Sequence, residues 1–163
     1  SGTGNMKFMM NGALTIGTLD GANVEIRDAV GADNFFLFGL AVDAVEAEWG
    51  RGYHPGRHIE RDQELRAALD LIDSGLFSHG DPGLFRDFTG SLRHHDPYLA
   101  CADFRSYADC QHAAGRRYQE RDQWTRMSIL NVARVGRFSS DRAIHEYAEQ
   151  IWRVRPITMT GSD

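Results

Sequence analysis

The chain carries a single side-chain amine, Lys7; the other seventeen of its eighteen basic residues are arginines. An amine can shed its proton and attack a carbonyl carbon, whereas a guanidinium stays charged. A covalent cofactor site, if the chain holds one, is expected at Lys7. The residue lies in Ser1-Gly2-Thr3-Gly4-Asn5-Met6-Lys7-Phe8-Met9-Met10-Asn11-Gly12. Thr3 is placed to start a short helix, and Gly12 after Asn11 to stop it. Glycines at such a start let a bound group approach free backbone N–H donors, and the helix dipole favours an anion there. An anchored phosphate beside a nucleophilic amine is what pyridoxal phosphate requires of a protein. The phosphate loop of nucleotide hydrolases needs Gly-Lys-Ser/Thr, and Lys7 stands between Met6 and Phe8 instead. From these residues alone a plain glycine-rich turn, the commoner case, and a cofactor site both stand.

The elements that would position this stretch follow from pattern. Residues 13–18 read as a short buried strand, with Leu14 and Ile16 on one face. Asp20-Gly21 makes a turn, and residues 22–30 form a brief helix with Asp20 near its start. The apolar run of residues 34–39, closed by Gly39, reads as a strand covered on both faces. Helix, strand, helix and strand in forty residues predict a parallel α/β arrangement. Residues 41–48 are expected to be helical. Residues 62–74 make an amphipathic helix with Leu65, Leu69 and Ile72 inward and Gly75 at its end. Residues 84–92 are weakly patterned. Residues 98–102 look strand-like, and Asp103 is placed to cap a long helix to about Glu120, with Phe104, Tyr107, Ala108 and Ala114 inward. Residues 122–135 give a further helix stopped by Gly136, its apolar side made of Trp124, Met127, Ile129 and Leu130. Ser139 or Ser140 caps a last helix bearing the stripe Ile144, Tyr147, Ala148, Ile151 and Trp152.

Two histidine pairs invite a metal reading and are set aside. His54 and His58 are four apart, but Pro55 and Gly56 argue against a helix there and no carboxylate stands beside them. His94 and His95 are adjacent and point to opposite sides of an extended chain. No metal is therefore expected. At 163 residues and 42% hydrophobic content the chain can bury a core as one domain. A net charge of −5 argues against nucleic acid or an anionic membrane as partner. No stretch is long and apolar enough to cross a membrane, and the start has no signal-peptide character. Cys101 and Cys110 read as reduced thiols of a cytoplasmic protein. The chain opens without an initiator methionine, so a piece of a longer protein is expected.

Residues 1–26 together resemble, nearly position for position, the cofactor segment of the glycogen/starch/maltodextrin phosphorylases. Ala102-Asp103-Phe104-Arg105-Ser106-Tyr107, Trp124-Thr125-Arg126-Met127-Ser128-Ile129 and Gly136-Arg137-Phe138-Ser139-Ser140-Asp141-Arg142 are similar to later landmarks of that family, in the family's order. So are Glu146-Tyr147-Ala148 and Ile151-Trp152. The resemblance covers the chain to Pro156. It implies an α/β fold, part of the C-terminal Rossmann-like lobe of a glycosyltransferase B-type enzyme, with parallel strands early and helices later. Residues 1–156 would be that portion and 157–163 a disordered tail.

The implied reaction is attack of inorganic phosphate on the non-reducing end of an α-1,4-glucan, releasing α-glucose 1-phosphate with retention. By the same resemblance, Lys7 matches the lysine that holds pyridoxal 5′-phosphate as a Schiff base. Gly2, Thr3 and Gly4 match the turn that binds its 5′-phosphate, and Ser1 and Gly2 match positions that contact the glucosyl unit. The implied partners are the glucan, inorganic phosphate, the remainder of the enzyme and a second copy in a homodimer, in an allosterically regulated family. The family's upstream acidic residue and its phosphate-holding basic residues are not in this chain, so the piece alone is expected to be inactive. Two other classes remain open on sequence: a standalone phosphate- or sugar-phosphate-binding domain without catalysis, and a structural or regulatory remnant.

Overall fold

The computed structural model describes residues 3–155. Within them the chain is mostly helical, around one small parallel sheet. Helix α1 spans Gly4–Met10 and ends in a doubly bonded turn: the Gly12 N–H donates to the Met9 carbonyl and the Ala13 N–H to the Phe8 carbonyl, both at 3.0 Å. Gly12 holds φ +82°, the left-handed conformation this C-terminal motif needs. The expected stop at Gly12 is therefore the one observed.

Strand β1 (Ile16–Gly17), helix α2 (Ala22–Val30) and strand β2 (Phe36–Leu37) follow, and β1 pairs parallel to β2 with Ile16 opposite Phe36. The expected parallel arrangement is present, but each strand has two residues rather than six. Leu37 is half exposed, so β2 is not covered on both faces as its apolar run predicted. Among the described residues neither strand has a second neighbour to extend it. Gly21 occupies the N-cap of α2, and Asp20, near the helix start as expected, accepts a hydrogen bond from the Thr18 hydroxyl at 2.9 Å.

The middle of the chain is α3 (Val42–Gly50), α4 (Pro55–Arg61), α5 (Gln63–Asp73) and α6 (Arg86–His94). Helix α4 corrects the reading of the first histidine pair. Pro55 sits at the first helical position, where its missing N–H costs nothing and its fixed φ favours the helix, so it opens α4 instead of preventing it. Asp62 caps α5 by accepting from the Glu64 and Leu65 amides, each at 3.0 Å. Helix α6 occupies a stretch that looked weakly patterned. Thr89 is buried there and donates to Asp73 at 2.6 Å, while Arg93 bridges Asp70 and Asp73.

Helices α7 (Ala100–Gln119) and α8 (Arg121–Arg134) complete the body. Residues 98–102 are not a strand: Leu99 is left-handed at φ 55°, and α7 begins at Ala100. Nor does Asp103 cap α7. The Ala100 and Cys101 amides donate to Asp96 at 2.9 and 2.8 Å, and the Tyr53 hydroxyl donates to the same carboxylate at 2.5 Å. Asp96 is 1% exposed. Asp103 instead accepts from the Leu40 amide at 2.8 Å, and Ser106 receives the Gly39 amide at 3.0 Å, which joins α7 to the end of β2. Burial raises the Asp103 carboxyl above its ordinary range, and the Leu40 amide pulls it partly back. Tyr107, expected inward, is exposed and meets the Phe38 ring edge-on at 5.1 Å. Ile129, expected on the apolar side of α8, is also exposed.

Gly136 does not stop α8 outright; the chain tightens into a 3-10 turn over Val135–Phe138. Ser139 caps helix α9 (Ser140–Glu146) through its hydroxyl, as expected, and the helix runs on with wider π spacing over Tyr147–Trp152. Ile144, Tyr147, Ile151 and Trp152 are exposed along it. The expected tail, residues 157–163, lies outside the described residues.

Two apolar clusters hold these parts. Met9, Ile26, Val30 and Phe35 form one, flanked by Met6, Val135 and Phe138; Ile59, Leu65, Leu69 and Cys101 form the other, flanked by Leu92 and Phe104. Burial of each large side chain contributes about 1.5–3 kcal/mol. The first cluster seats α1 and the second seats α4 to α7.

Asp96 is the polar counterpart of the second cluster. Burial, then the bond to Asp96, raises the Tyr53 hydroxyl far above its ordinary value, and burial pushes the Cys101 thiol up to about 12. Asp96→Ala strips three donors, one buried and two part-buried, of their acceptor and should lower unfolding free energy by about 3 kcal/mol, against about 1 for Tyr53→Phe. Denaturant unfolding of both variants checks this; equal losses would contradict it.

The acid side of stability follows from two surface carboxylates. Arg105, with the α5 cap amides, holds Asp62 below the usual carboxylate range; Thr89, then Arg93, does the same for Asp73. A depressed carboxylate stabilises the fold fully above its unfolded pKa of about 3.9, and that share is lost as pH falls through the lower folded value. Unfolding measured from about pH 6 to about pH 3 should show stability draining below about pH 4, with a shallower acid limb in the Asp62→Asn/Asp73→Asn double variant.

Candidate functional site

The described part of the predicted site gathers on α1. Ser1 and Gly2, expected to contact a glucosyl unit and, for Gly2, a phosphate, lie outside the described residues. Thr3 takes the N-cap position of α1 as expected, but its hydroxyl makes no capping bond to the helix. The hydroxyl is thus available to another acceptor. The first amides of a helix have no acceptor within it. Of those in α1, the Met6 N–H is taken by Asn5 Oδ1 at 2.9 Å and the Lys7 N–H by the Thr3 carbonyl at 3.2 Å. A Cβ added at Gly4 would meet nothing within 4 Å. Packing among the described residues therefore gives no reason for glycine there.

Lys7 is exposed and lies four residues after Thr3, so the two side chains share one face of the helix. They line a cavity of about 440 Å³, walled by Met6, Met10, Val135, Phe138 and Ser139. The wall opposite α1 comes from the turn between α8 and α9, nearly the whole chain away in sequence. No acidic side chain among the described residues pairs with Lys7. The donor set is one amine, one hydroxyl and unspent helix amides, which suits an anionic carbonyl compound of modest size.

The seat of α1 is built from residues the sequence did not single out. At its N-terminal end, Asn5 Nδ2 donates to Asn23 Oδ1 at 3.0 Å, and Asn23 Nδ2 donates to the Thr18 carbonyl at 3.0 Å. At its C-terminal end, the Ser128 hydroxyl donates to the Gly12 carbonyl at 2.8 Å. On the face away from Lys7, Met9 is fully buried. The signal available for Asn5 was its type, since asparagine in a helical first turn favours side-chain bonding over the helix. Nothing in the sequence pattern pointed to Asn23 or Ser128.

The first histidine pair lies about the start of α4. His54 is the N-cap of α4, and His58 tilts against the Tyr53 ring at 5.4 Å. Among the described residues no three His, Cys, Asp or Glu side chains lie close enough together to hold a metal ion. No helix there is long and apolar enough to cross a membrane.

Residues 1–154 match the family model for carbohydrate phosphorylases. Glycogen phosphorylase of Synechocystis sp. is 58% identical over 163 residues, which is all of this chain and 19% of that protein. Glycogen phosphorylase of Haemophilus influenzae is 50% identical over 159 residues, 98% of this chain and 19% of that protein. The muscle form from Homo sapiens is 49% identical over 156 residues, 96% of this chain and 18% of that protein. The chain thus spans about a fifth of the length of the curated relatives it matches.

Gly12 and Gly4 separate what the fold needs from what a ligand needs. A Cβ at Gly12 would stand 2.6 Å from Ser128 Oγ, at a left-handed φ. Gly12→Ala should cost about 1–2 kcal/mol from backbone strain alone. Gly4→Ala should leave stability within about 0.5 kcal/mol. Denaturant unfolding of the two variants, side by side, reads the contrast; an equally large loss at Gly4 would show that the chain itself needs that glycine.

Proposed function

This chain belongs to the carbohydrate phosphorylase family, and on that premise we propose that it is the cofactor-holding segment of an α-1,4-glucan phosphorylase. The enzyme transfers a glucosyl unit from the non-reducing end of the glucan to inorganic phosphate, giving α-glucose 1-phosphate with retention. Residues 1–156 are the last portion of the C-terminal, Rossmann-like lobe of a glycosyltransferase B-type fold, and 157–163 a tail. The remainder of the enzyme completes the site, and the segment alone is inactive. The parent acts as a cytoplasmic homodimer of an allosterically regulated family.

One observation supports the reading above the rest: the chain's single lysine and a threonine hydroxyl that does not cap its helix face one cavity, beside a glycine that packing among the described residues does not require. These residues fit pyridoxal 5′-phosphate. Lys7 holds the aldehyde carbon through Nζ. The Thr3 hydroxyl and the backbone amides of Gly2, Thr3 and Gly4 hold the 5′-phosphate, and Ser1 and Gly2 border the glucosyl unit. When bound, the cofactor supplies a phosphate whose second pKa, about 6, suits proton exchange with the substrate phosphate. The segment's own task is to hold that group and to present the positive end of α1 where negative charge gathers.

The reading is tested by exchanging the two side chains in the full-length enzyme that contains this segment. Lys7→Arg should abolish borohydride-fixed attachment, since a guanidinium does not bond the aldehyde, while leaving phosphate binding by the turn in place. Thr3→Val should keep attachment but lose one hydrogen bond to a charged group, about 1.5–3 kcal/mol, lowering cofactor affinity or rate by about one to two decades. Peptide mapping after reduction and glucan phosphorolysis read both. A Lys7→Arg enzyme that is still labelled elsewhere and retains full phosphorolysis would remove Lys7 as the anchor.

A further inference from the structure

Helix α1 is seated by two kinds of contact. Met9 enters the apolar cluster with Ile26, Val30 and Phe35, which fixes the helix in place. The Asn5–Asn23–Thr18 relay touches only its first turn. Neutral hydrogen bonds contribute less than burial of four large apolar side chains. Loss of the relay therefore leaves α1 docked by Met9 and tied by Ser128 at its Gly12 end, but removes the side-chain bond that fixes the rotation of its first turn.

The relay is built with close tolerance. Asn5 and Asn23 are 18 residues apart, both half-buried, and Asn23 uses both ends of its amide: Oδ1 for Asn5 and Nδ2 for the Thr18 carbonyl. Gly17, buried in β1, makes room for it, since a Cβ there would stand 2.5 Å from Asn23 Nδ2. Asn5 in turn spends Oδ1 on the Met6 amide, one residue before Lys7. The residue that follows β1 thus reaches the turn that carries Lys7 through two side chains, Asn23 and Asn5.

We propose that Asn23 is a positioning residue for Lys7: its amide, locked between the Thr18 carbonyl and Asn5, sets the rotation of α1 and so aims the lysine amine into the cavity beside Thr3. The proposal rests on the reading of Lys7 as the cofactor anchor. A helical side chain ends roughly 5 Å from the axis, so a rotation of about 20° displaces the amine by about 2 Å. Displacements of that size are enough to slow a bond-forming step by about one to two decades.

The experiment uses the full-length enzyme containing this segment, stripped of cofactor. The variants are Asn23→Leu, Asn5→Leu, their combination and Asn23→Asp, which keeps the acceptor for Asn5. Two ligands are compared: pyridoxal 5′-phosphate, read as the rate of borohydride-fixed attachment at Lys7, and pyridoxamine 5′-phosphate, which has the phosphate but no aldehyde, read as affinity. Asn23→Leu and Asn5→Leu should each slow attachment about tenfold, the combination should be no slower than either, and Asn23→Asp, whose second oxygen would meet the Thr18 carbonyl, should slow it as well. Affinity for pyridoxamine 5′-phosphate should fall by less than the attachment rate, because the backbone amides that hold the phosphate lie near the helix axis and move little in a rotation, whereas a general loosening of the fold would lower both alike. If Asn23→Leu does not fold, Asn5→Leu and Asn23→Asp carry the same comparison.

Unchanged attachment rates, or equal losses for both ligands, would overturn the positioning role and leave the cofactor reading intact. Label appearing at a residue other than Lys7 in the unsubstituted enzyme would overturn the cofactor reading, and this proposal with it.

Discussion

The hydrogen bond from the Ser128 hydroxyl to the Gly12 carbonyl closes the molecule on itself, joining residues 116 apart. It forms only because residue 12 lacks a Cβ and accepts a left-handed backbone. The same glycine terminates α1, so one position both ends the helix and welds it to α8. Further along α8, Arg134 donates to the Ala29 and Val30 carbonyls, placing a cation at the C-terminal end of α2. Helix α8 is therefore the brace against which α1 and α2 are set. The Phe36 and Trp124 rings, 6.1 Å apart, extend that brace to β2.

A lysine on a seven-residue helix has little intrinsic order, because helices this short are marginal without tertiary support. Here the support lies on the far side from the chemistry. Met9 is buried while Thr3, Gly4 and Lys7 face outward, and the helix is tied at one end to Asn23 and at the other to Ser128. The division leaves the amine and the hydroxyl unspent, since neither is needed to hold the fold. A site in which the reactive groups also carried the packing would lose one role whenever it served the other.

Local chemistry made much of this legible in the sequence. Thr3 and Gly12 bound α1, Asp62 caps α5, and Ser139 caps α9, because each signal depends on its own neighbours. What stayed hidden depended on distant partners. Asp96, which no local signal in the sequence marks, is the buried acceptor for α7 only because Tyr53 and the turn at Leu99 come to it. Asp103 looked like a cap because it precedes an amphipathic run, yet its partner is Leu40, 63 residues away. Pro55 was read as a breaker when its place at the first helical position made it a starter. At the site, the residue types of Lys7, Thr3 and Gly4 could be read in order along the chain. The relay through Asn23 could not, since a half-buried amide pair leaves no periodic trace.

The split between arginine and lysine follows from the same geometry. Arg105 bonds Asp62 through two nitrogens at 2.8 and 2.7 Å and reaches Glu64 with a third. Arg93 spans two carboxylates of α5, and Arg134 two carbonyls of α2. Arg105 acts as a planar fork, which a guanidinium offers and a compact ammonium does not, while Arg93 and Arg134 each serve two acceptors from one nitrogen. The structural cations are committed in this way, and they stay protonated whatever surrounds them. Lys7 is the exception in type: it is the chain's one lysine, and among the described residues no carboxylate pairs with it. Replacing the arginine forks by lysine would weaken the scaffold, and replacing Lys7 by arginine would leave the scaffold whole and remove the nucleophile. The chain's composition thus separates the cations that hold the fold from the one that can form a covalent bond.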